Sequence, residues 1–234
     1  DSLIGAQALV AGGARSVSGF EGVPEERAAE TLFVPLFRAG QPGLAPGDML
    51  DTGISIVNPG DDAVSVSATF HPTSDPDPRL AACRAQPQYV QRATIEPRSS
   101  AIFYQGAGGR GAIEPPMPAP CYGSVVIRST GGGVLAIVQD GQNGTALLSA
   151  YNAVSADQAA NRVAVPLWRH DHSAYRLTTG IQVMNVGAQA AHGVTIAFRT
   201  TEPDGSSRQV ACGAPCRVDI PPGIVESRKV GAGD

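Results

Sequence analysis

Five short strings in this sequence hold residue types that do chemistry. "RHDH" at 169–172 places two imidazoles and a carboxylate within four residues, a ligand set that suits a first-row transition metal. "CGAPC" at 212–216 brings Cys212 and Cys216 together, and Cys83 and Cys121 raise the cysteines to 4. "NGT" at 143–145 makes Asn143 an N-glycosylation acceptor by pattern. Aspartates in "PGDD" (59–62) and "SDPDP" (74–78) offer oxygens of the kind that hold calcium.

Each string has a plainer reading, and the spacing favours it. Neither aspartate string has the regular alternation of a calcium loop, so both read as turns. "GAGGRG" at 106–111 lacks the strand-then-helix setting of a phosphate loop and reads as a flexible connection. No Gly-x-Ser-x-Gly elbow is present, and no Ser, His and Asp stand in a triad frame. His71 and His192 are isolated and read as strand-edge residues. Asn143 sits on a predicted Asn-Gly turn, where the turn alone explains it. The sequence therefore predicts no enzyme, no metal site and no cofactor.

The thiols carry more weight. Three residues separate Cys212 from Cys216, unlike the two of a redox pair, and no second pair stands at zinc-finger distance with histidines nearby. An even count in a loop-rich chain favours disulfides and an oxidising compartment, with Cys83 bonded to Cys121 and Cys212 to Cys216; four reduced, partly buried thiols are the alternative.

The elements that position these groups repeat. Setting "SGFEGVPEERAAETLFVPLFR" (18–38) over "SAYNAVSADQAANRVAVPLWR" (149–169) aligns 8 identities in 21 positions without a gap: Ser18, Val23, Ala28, Ala29, Val34, Pro35, Leu36 and Arg38 with their partners. The aligned "RHDH" falls on "RAGQ" (38–41), so the scaffold does not require ligands there. Trp168 and Tyr151 fall on Phe37 and Phe20, which marks both as core.

Short alternating runs follow each copy. "TGISIVNPG" (52–60) and "AVSVSATF" (63–70) form a predicted hairpin with Val64, Val66, Ala68 and Phe70 on one face. "YVQRATIEP", "SSAIFYQ", "YGSVVIRST", "GVLAIVQDG" and "ALLSAYNAV" continue the series. The second copy repeats "TGIQVMNVG" (179–187), "GVTIAFR" (193–199) and "RVDIPPGIVESRKV" (217–230). Many short strands between turn signals, with no sustained helical period, predict an all-β chain of two tandem immunoglobulin-like antiparallel β-sandwiches, the second incomplete in sequence. The predicted organisation is an N-terminal segment (1–23), a first sandwich (24–160) and a truncated second one (161–234). The 17 basic and 21 acidic residues are interspersed, which excludes the basic stripe that a nucleic acid needs, and no apolar run is long enough for a membrane span.

The pattern of "FVPLF", "TGISIVNPG", "TIEPRSSAIFYQ", "GSVVIRSTGGGVLAIVQ" and "SAYNAV" resembles tandem β-sandwich repeats of large secreted or surface proteins of filamentous bacteria. The resemblance implies an extracellular structural or adhesive role and no catalytic residue. A subunit of a surface filament or stalk is the expectation. The alternative is an adhesin module that binds carbohydrate, or a protein on a host or neighbouring cell, through loops 71–92 and 169–178.

One further expectation concerns assembly with other copies of itself. "LIGAQA" (3–8) aligns with "VLAIVQ" (134–139), read as the last strand of the full repeat, while nothing after residue 230 matches "YGSVVIRST". A donor strand of Leu3, Ile4, Ala6, Ala8 and Val10 completing the second unit of the next copy would give a head-to-tail polymer; the alternative is that the sequence is a window on a continuous array of repeats. In that alignment Ile4, Ala6 and Ala8 take the places of Leu135, Ile137 and Gln139.

Overall fold

The structure is a computed structural model that describes residues 7–12, 16–43, 47–142, 146–165, 180–201, 206–210 and 217–229. The chain is all-β with antiparallel pairing, and it divides into two compact units, residues 1–159 and 160–234.

The first unit opens with a hairpin of β1 (Gln7–Gly12) and β2 (Ser16–Glu21). Two sheets then face each other. One has the order β3 (Thr31–Ala39), β9 (Cys121–Thr130), β6 (Val64–Pro72) and β7 (Tyr89–Ile95). The other runs β11 (Ala146–Asn152), β10 (Leu135–Gln142) and β5 (Met49–Val57), with β4 (Gln41–Pro42) and β8 (Ser100–Tyr104) also paired to β5. The period-two patterns explain the layering. In β6, Val64, Val66, Ala68 and Phe70 are buried, while in β5 Ile54 and Ile56 are fully buried. These side chains, with Phe37, Phe103, Val125, Ile127 and Val138, form one core between the sheets. Phe37 meets the Phe70 ring edge-on, with centroids 5.2 Å apart. Each such fully buried apolar side chain stabilises the unit by about 1.5–3 kcal/mol.

In β10 the inward row is Ala136, Val138 and Asp140, and the half-exposed row is Leu135, Ile137 and Gln139. The proposed donor residues Ile4, Ala6 and Ala8 were matched to the row that faces away from the core. The inward row is matched instead by Gly5, Gln7 and Leu9, two of which are poor core residues. Within the structure Ala8 and Val10 lie in β1, which pairs with β2 of its own chain, and β2 lies beside β11. Leu3, Ile4 and Ala6 lie outside the described residues.

The second unit contains β12 (Gly180–Met184) paired with β17 (Val225–Lys229), β13 (Ala191–Thr195) with β16 (Arg217–Ile220), and β14 (Phe198–Thr201) with β15 (Ser207–Val210). Its small core joins Ile196 and Phe198 to Ile181 and Val183. The registers of the first two pairs match those of the first unit. Gly180 faces Lys229 as Gly53 faces Tyr104, and Ala191 faces Ile220 as Val64 faces Ile95. After one bulged residue, Val194 faces Val218 as Val66 faces Ala93.

One asparagine ties the two turns of each unit together. In the first, the buried Asn58 donates from Nδ2 to the carbonyls of Asp62 (2.7 Å), Ile95 (3.1 Å) and Glu96 (3.1 Å), and its Oδ1 accepts from the Gly60 N–H (3.0 Å). In the second, Asn185 donates to Gln189 (2.7 Å) and Ile220 (2.9 Å) and accepts from the Gly187 N–H (2.9 Å). The facing turn holds a left-handed residue at the same place in both, Arg98 (φ 53) and Gly223 (φ 73). Asn58→Ala strands buried carbonyls and is expected to cost about 2–3 kcal/mol. Urea unfolding followed by hydrogen exchange checks it: exchange should quicken at Ile95 and Glu96 in this variant, and at Ile220 in Asn185→Ala.

Candidate functional site

Polar side chains of the first unit gather at three places. The first lies between the sheets. Asp140 on β10 is buried; its carboxylate pairs with the Arg38 guanidinium from β3 and accepts from the Thr52 hydroxyl on β5. Thr52 Oγ1 in turn accepts from the Arg38 N–H at 2.8 Å. Beside it the Tyr151 hydroxyl donates to the Leu36 carbonyl at 2.7 Å, and burial near Asp140 holds that phenol protonated far above its ordinary range. With the Ser149 hydroxyl donating to Asp140 at 3.4 Å, the group ties β3, β5, β10 and β11 together.

The second place is the end of the sandwich that carries the long connections. The structure joins Cys83 to Cys121 by a disulfide, which pins the segment after β6 to the start of β9. The segment is more ordered than its Pro- and Asp-rich composition suggests. A short helix, α1 (Ala81–Arg84), follows a 3-10 turn capped by the Asp77 carboxylate, which accepts from the Arg79 N–H at 2.9 Å. The Arg79 side chain and N–H beside Asp77 hold its carboxyl below the usual range. Asp75 Oδ1 accepts from the Asp77 N–H at 3.0 Å, Arg84 donates to the carbonyls of Asp75 and Asp77, and the Tyr122 hydroxyl reaches Asp75 at 2.6 Å. Burial, with the Asp75 carboxylate next, pushes the Tyr122 phenol up to about 12. The "SDPDP" aspartates therefore organise a turn.

"GAGGRG" is a packed turn where a flexible connection was expected. Arg110 N–H donates to the Gly106 carbonyl at 3.1 Å, and a Cβ on Gly109 would sit 1.9 Å from the Tyr104 carbonyl oxygen. The glycines let the chain press against β8. The Arg110 guanidinium lies 3.8 Å from the Asp51 carboxylate.

The third place is an open cleft of 240 Å³ at the end that holds Asn58, rimmed by Glu25, Asp61, Asp62 and the glycines 131–133. Arg98 reaches Glu25 (3.3 Å) and Asp61 (3.1 Å), so two of these carboxylates already have a cationic neighbour. No group of three metal-ligating side chains occurs among the described residues.

The histidines differ. His71 lies in β6, an inner strand and not an edge; burial, with Arg128 second, lowers its pKa and keeps the ring neutral. His192, exposed, stands 3.0 Å from Asp219, whose carboxyl is held low first by the Gly193 N–H and then by His192. Cys212, Cys216, Asn143, Trp168 and the "RHDH" string lie outside the described residues. Sequence reasoning missed Asp140, Thr52 and Asn58, and their signal was faint: a polar residue bordering an otherwise apolar run.

No family model matches the chain, and no curated protein matches it. Among solved structures, one titled "Crystal Structure of Thermotoga maritima 1070" is similar at 18% identity, over 54% of this chain and 94% of that one, with a TM-score of 0.36. At that score the likeness carries no argument for fold or function.

Proposed function

We propose that this chain is a non-enzymatic segment of an extracellular structural protein built from repeated β-sandwiches and displayed as a surface filament or stalk. The carrying observation is the asparagine corner, which recurs at Asn58 and Asn185 with equivalent bonds and strand registers. Repetition of a scaffold detail, where the loops between differ, is what an array of spacers needs. The polar groups described above support the reading because each holds a turn or ties strands together. The Cys83–Cys121 disulfide suits an oxidising compartment.

An adhesin module is the second reading, favoured by one observation: the segments 73–88 and 105–120 are pinned at one end of the first unit by that disulfide. Loops fixed on a rigid sandwich are where binding residues reside. Immunogold labelling of thin sections of source cells with an antibody to residues 24–160, run beside a glycan array, separates the readings. Regular surface label without glycan binding is expected. Label confined to the cytoplasm overturns the proposal, and selective glycan capture moves it to the adhesin.

A further inference from the structure

The edge of a sheet presents unpaired backbone groups, and folded proteins guard such edges with charge, proline, bulges or a covering segment. Three edges of the first unit are guarded in this way. At β3 the Phe33 N–H and carbonyl bond Val154 at 2.7 and 3.0 Å, and Pro35 sits within a bulge between Val34 and Phe37. On β7 the Val90 N–H and carbonyl bond Glu114, both at 2.8 Å, and Arg92 is exposed. β11 has β2 beside it. β8 differs: it contains no charge and no proline, and it pairs with β5 without a bulge. Ser100 on it is exposed, and Ile102 is 68% exposed.

The ladder decides which groups of β8 are free. Asn58 N–H donates to the Ser99 carbonyl and Gln105 N–H to the Thr52 carbonyl, each at 2.9 Å. Antiparallel bonding alternates between those two pairs, so Ala101 and Phe103 turn their N–H and carbonyl groups to β5, while Ser100, Ile102 and Tyr104 turn theirs away. Among the described residues no backbone group bonds these three from the open side. Gly109 presses on the Tyr104 carbonyl and takes that one acceptor out of use.

We propose that β8 is a self-pairing edge, on which β8 of a second copy lies antiparallel across a two-fold axis at Ile102. In that register Ile102 faces Ile102 of the second copy and Ser100 faces Tyr104, so outward groups meet outward groups on both sides. The Ile102 N–H donates to the Ile102 carbonyl opposite, the Tyr104 N–H to the Ser100 carbonyl, and the axis repeats both. A slip by one residue would set Ile102 against Ala101, whose groups are committed to β5; a slip by two would lose the apolar pair. A second copy is the fitting occupant because a strand without charge meets its own image without like-charge repulsion.

The second unit shows that the scaffold does not require this surface. β17 pairs with β12 as β8 pairs with β5, and the residues at the places of Ile102 and Tyr104 are Ser227 and Lys229. Glu226 and Arg228 add further charge to that strand. The contact is small, since five residues span about 17 Å, and it falls short of the roughly 1,200 Å² that a stable interface buries. A dissociation constant on the order of 0.1–1 mM is therefore expected. The pairing is lateral and does not depend on the surface reading above.

The test follows the full chain from about 10 μM to about 1 mM by sedimentation equilibrium and by hydrogen exchange. A reversible monomer–dimer equilibrium is expected, with exchange at the Ile102 and Tyr104 amides slowed about twofold or more at the top of the range and unchanged at Arg92 and Thr94. Ile102→Lys should weaken association about tenfold or more, while Ile102→Val keeps it. The exchange measurement needs no substitution, so it decides the matter whether or not the lysine variant folds. A chain that stays monomeric at about 1 mM, a dimer that a folded Ile102→Lys chain forms equally well, or a dimer that leaves the Ile102 amide unprotected overturns the inference.

Discussion

Asp140→Ala is expected to destabilise the first unit by about 3–5 kcal/mol, the range for removing one partner of a buried ion pair. The variant leaves the Arg38 guanidinium without its carboxylate and the Thr52 hydroxyl without its acceptor. Arg38 is 28% exposed at its side chain, so water offsets part of the loss and the low end of the range is the better figure. A fall of roughly 10 °C in the melting temperature corresponds to that. The pair is not irreplaceable, however. Burying two charges is itself costly, so Arg38→Met with Asp140→Leu should be less destabilised than Asp140→Ala alone. Calorimetry on the three chains decides it. A double variant as unstable as Asp140→Ala, or more so, would show that the buried pair stabilises the unit beyond what apolar packing can replace.

The same residue shows where sequence reading reaches its limit. The run "VLAIVQD" is apolar at five consecutive positions, 134–138, so either face of the strand could be read as the buried one. The inward row ends in an aspartate that looks like a surface residue, and what admits it to the core is an arginine more than one hundred positions earlier in the chain. A local pattern carries no record of such a partner. β6 was legible for the opposite reason: Val64, Val66, Ala68 and Phe70 alternate with small polar residues, and a one-residue slip would have exposed all four.

Asn58 was equally half-legible. "NPG" marks a turn by its own composition. That its side chain also gathers the carbonyls of Ile95 and Glu96 depends on a second turn brought near only by the fold. The glycines of 106–111 misled in another way, because glycine marks both loose chain and chain that must pass close to a neighbour. Here it is the second, against Tyr104. The long repeat, by contrast, was visible without any structure, since comparing a chain with itself needs no knowledge of contacts.

Replacing both Cys83 and Cys121 by serine is expected to cost about 4 kcal/mol. Their sequence separation is 38, and the entropy of closing a loop of that length in the unfolded chain gives this figure when no native strain is counted. Packing adds to it. Both cysteines are fully buried within the first core, and two serine hydroxyls there would need acceptors. Tyr89, whose hydroxyl donates to the Cys83 carbonyl at 2.8 Å, holds the short helix from the strand side, so the helix should loosen without leaving. The expected pattern is therefore graded: a lower denaturant midpoint for the first unit, faster exchange over residues 78–85, and little change at the Asn58 corner. Reduction of the unmodified chain should give a smaller shift in the same direction, because the thiols stay in the core, and only after partial unfolding, because neither sulfur is exposed. If the serine variant unfolds at the same denaturant concentration as the parent, the bond is dispensable, and the case for an oxidising compartment loses its firmest structural support.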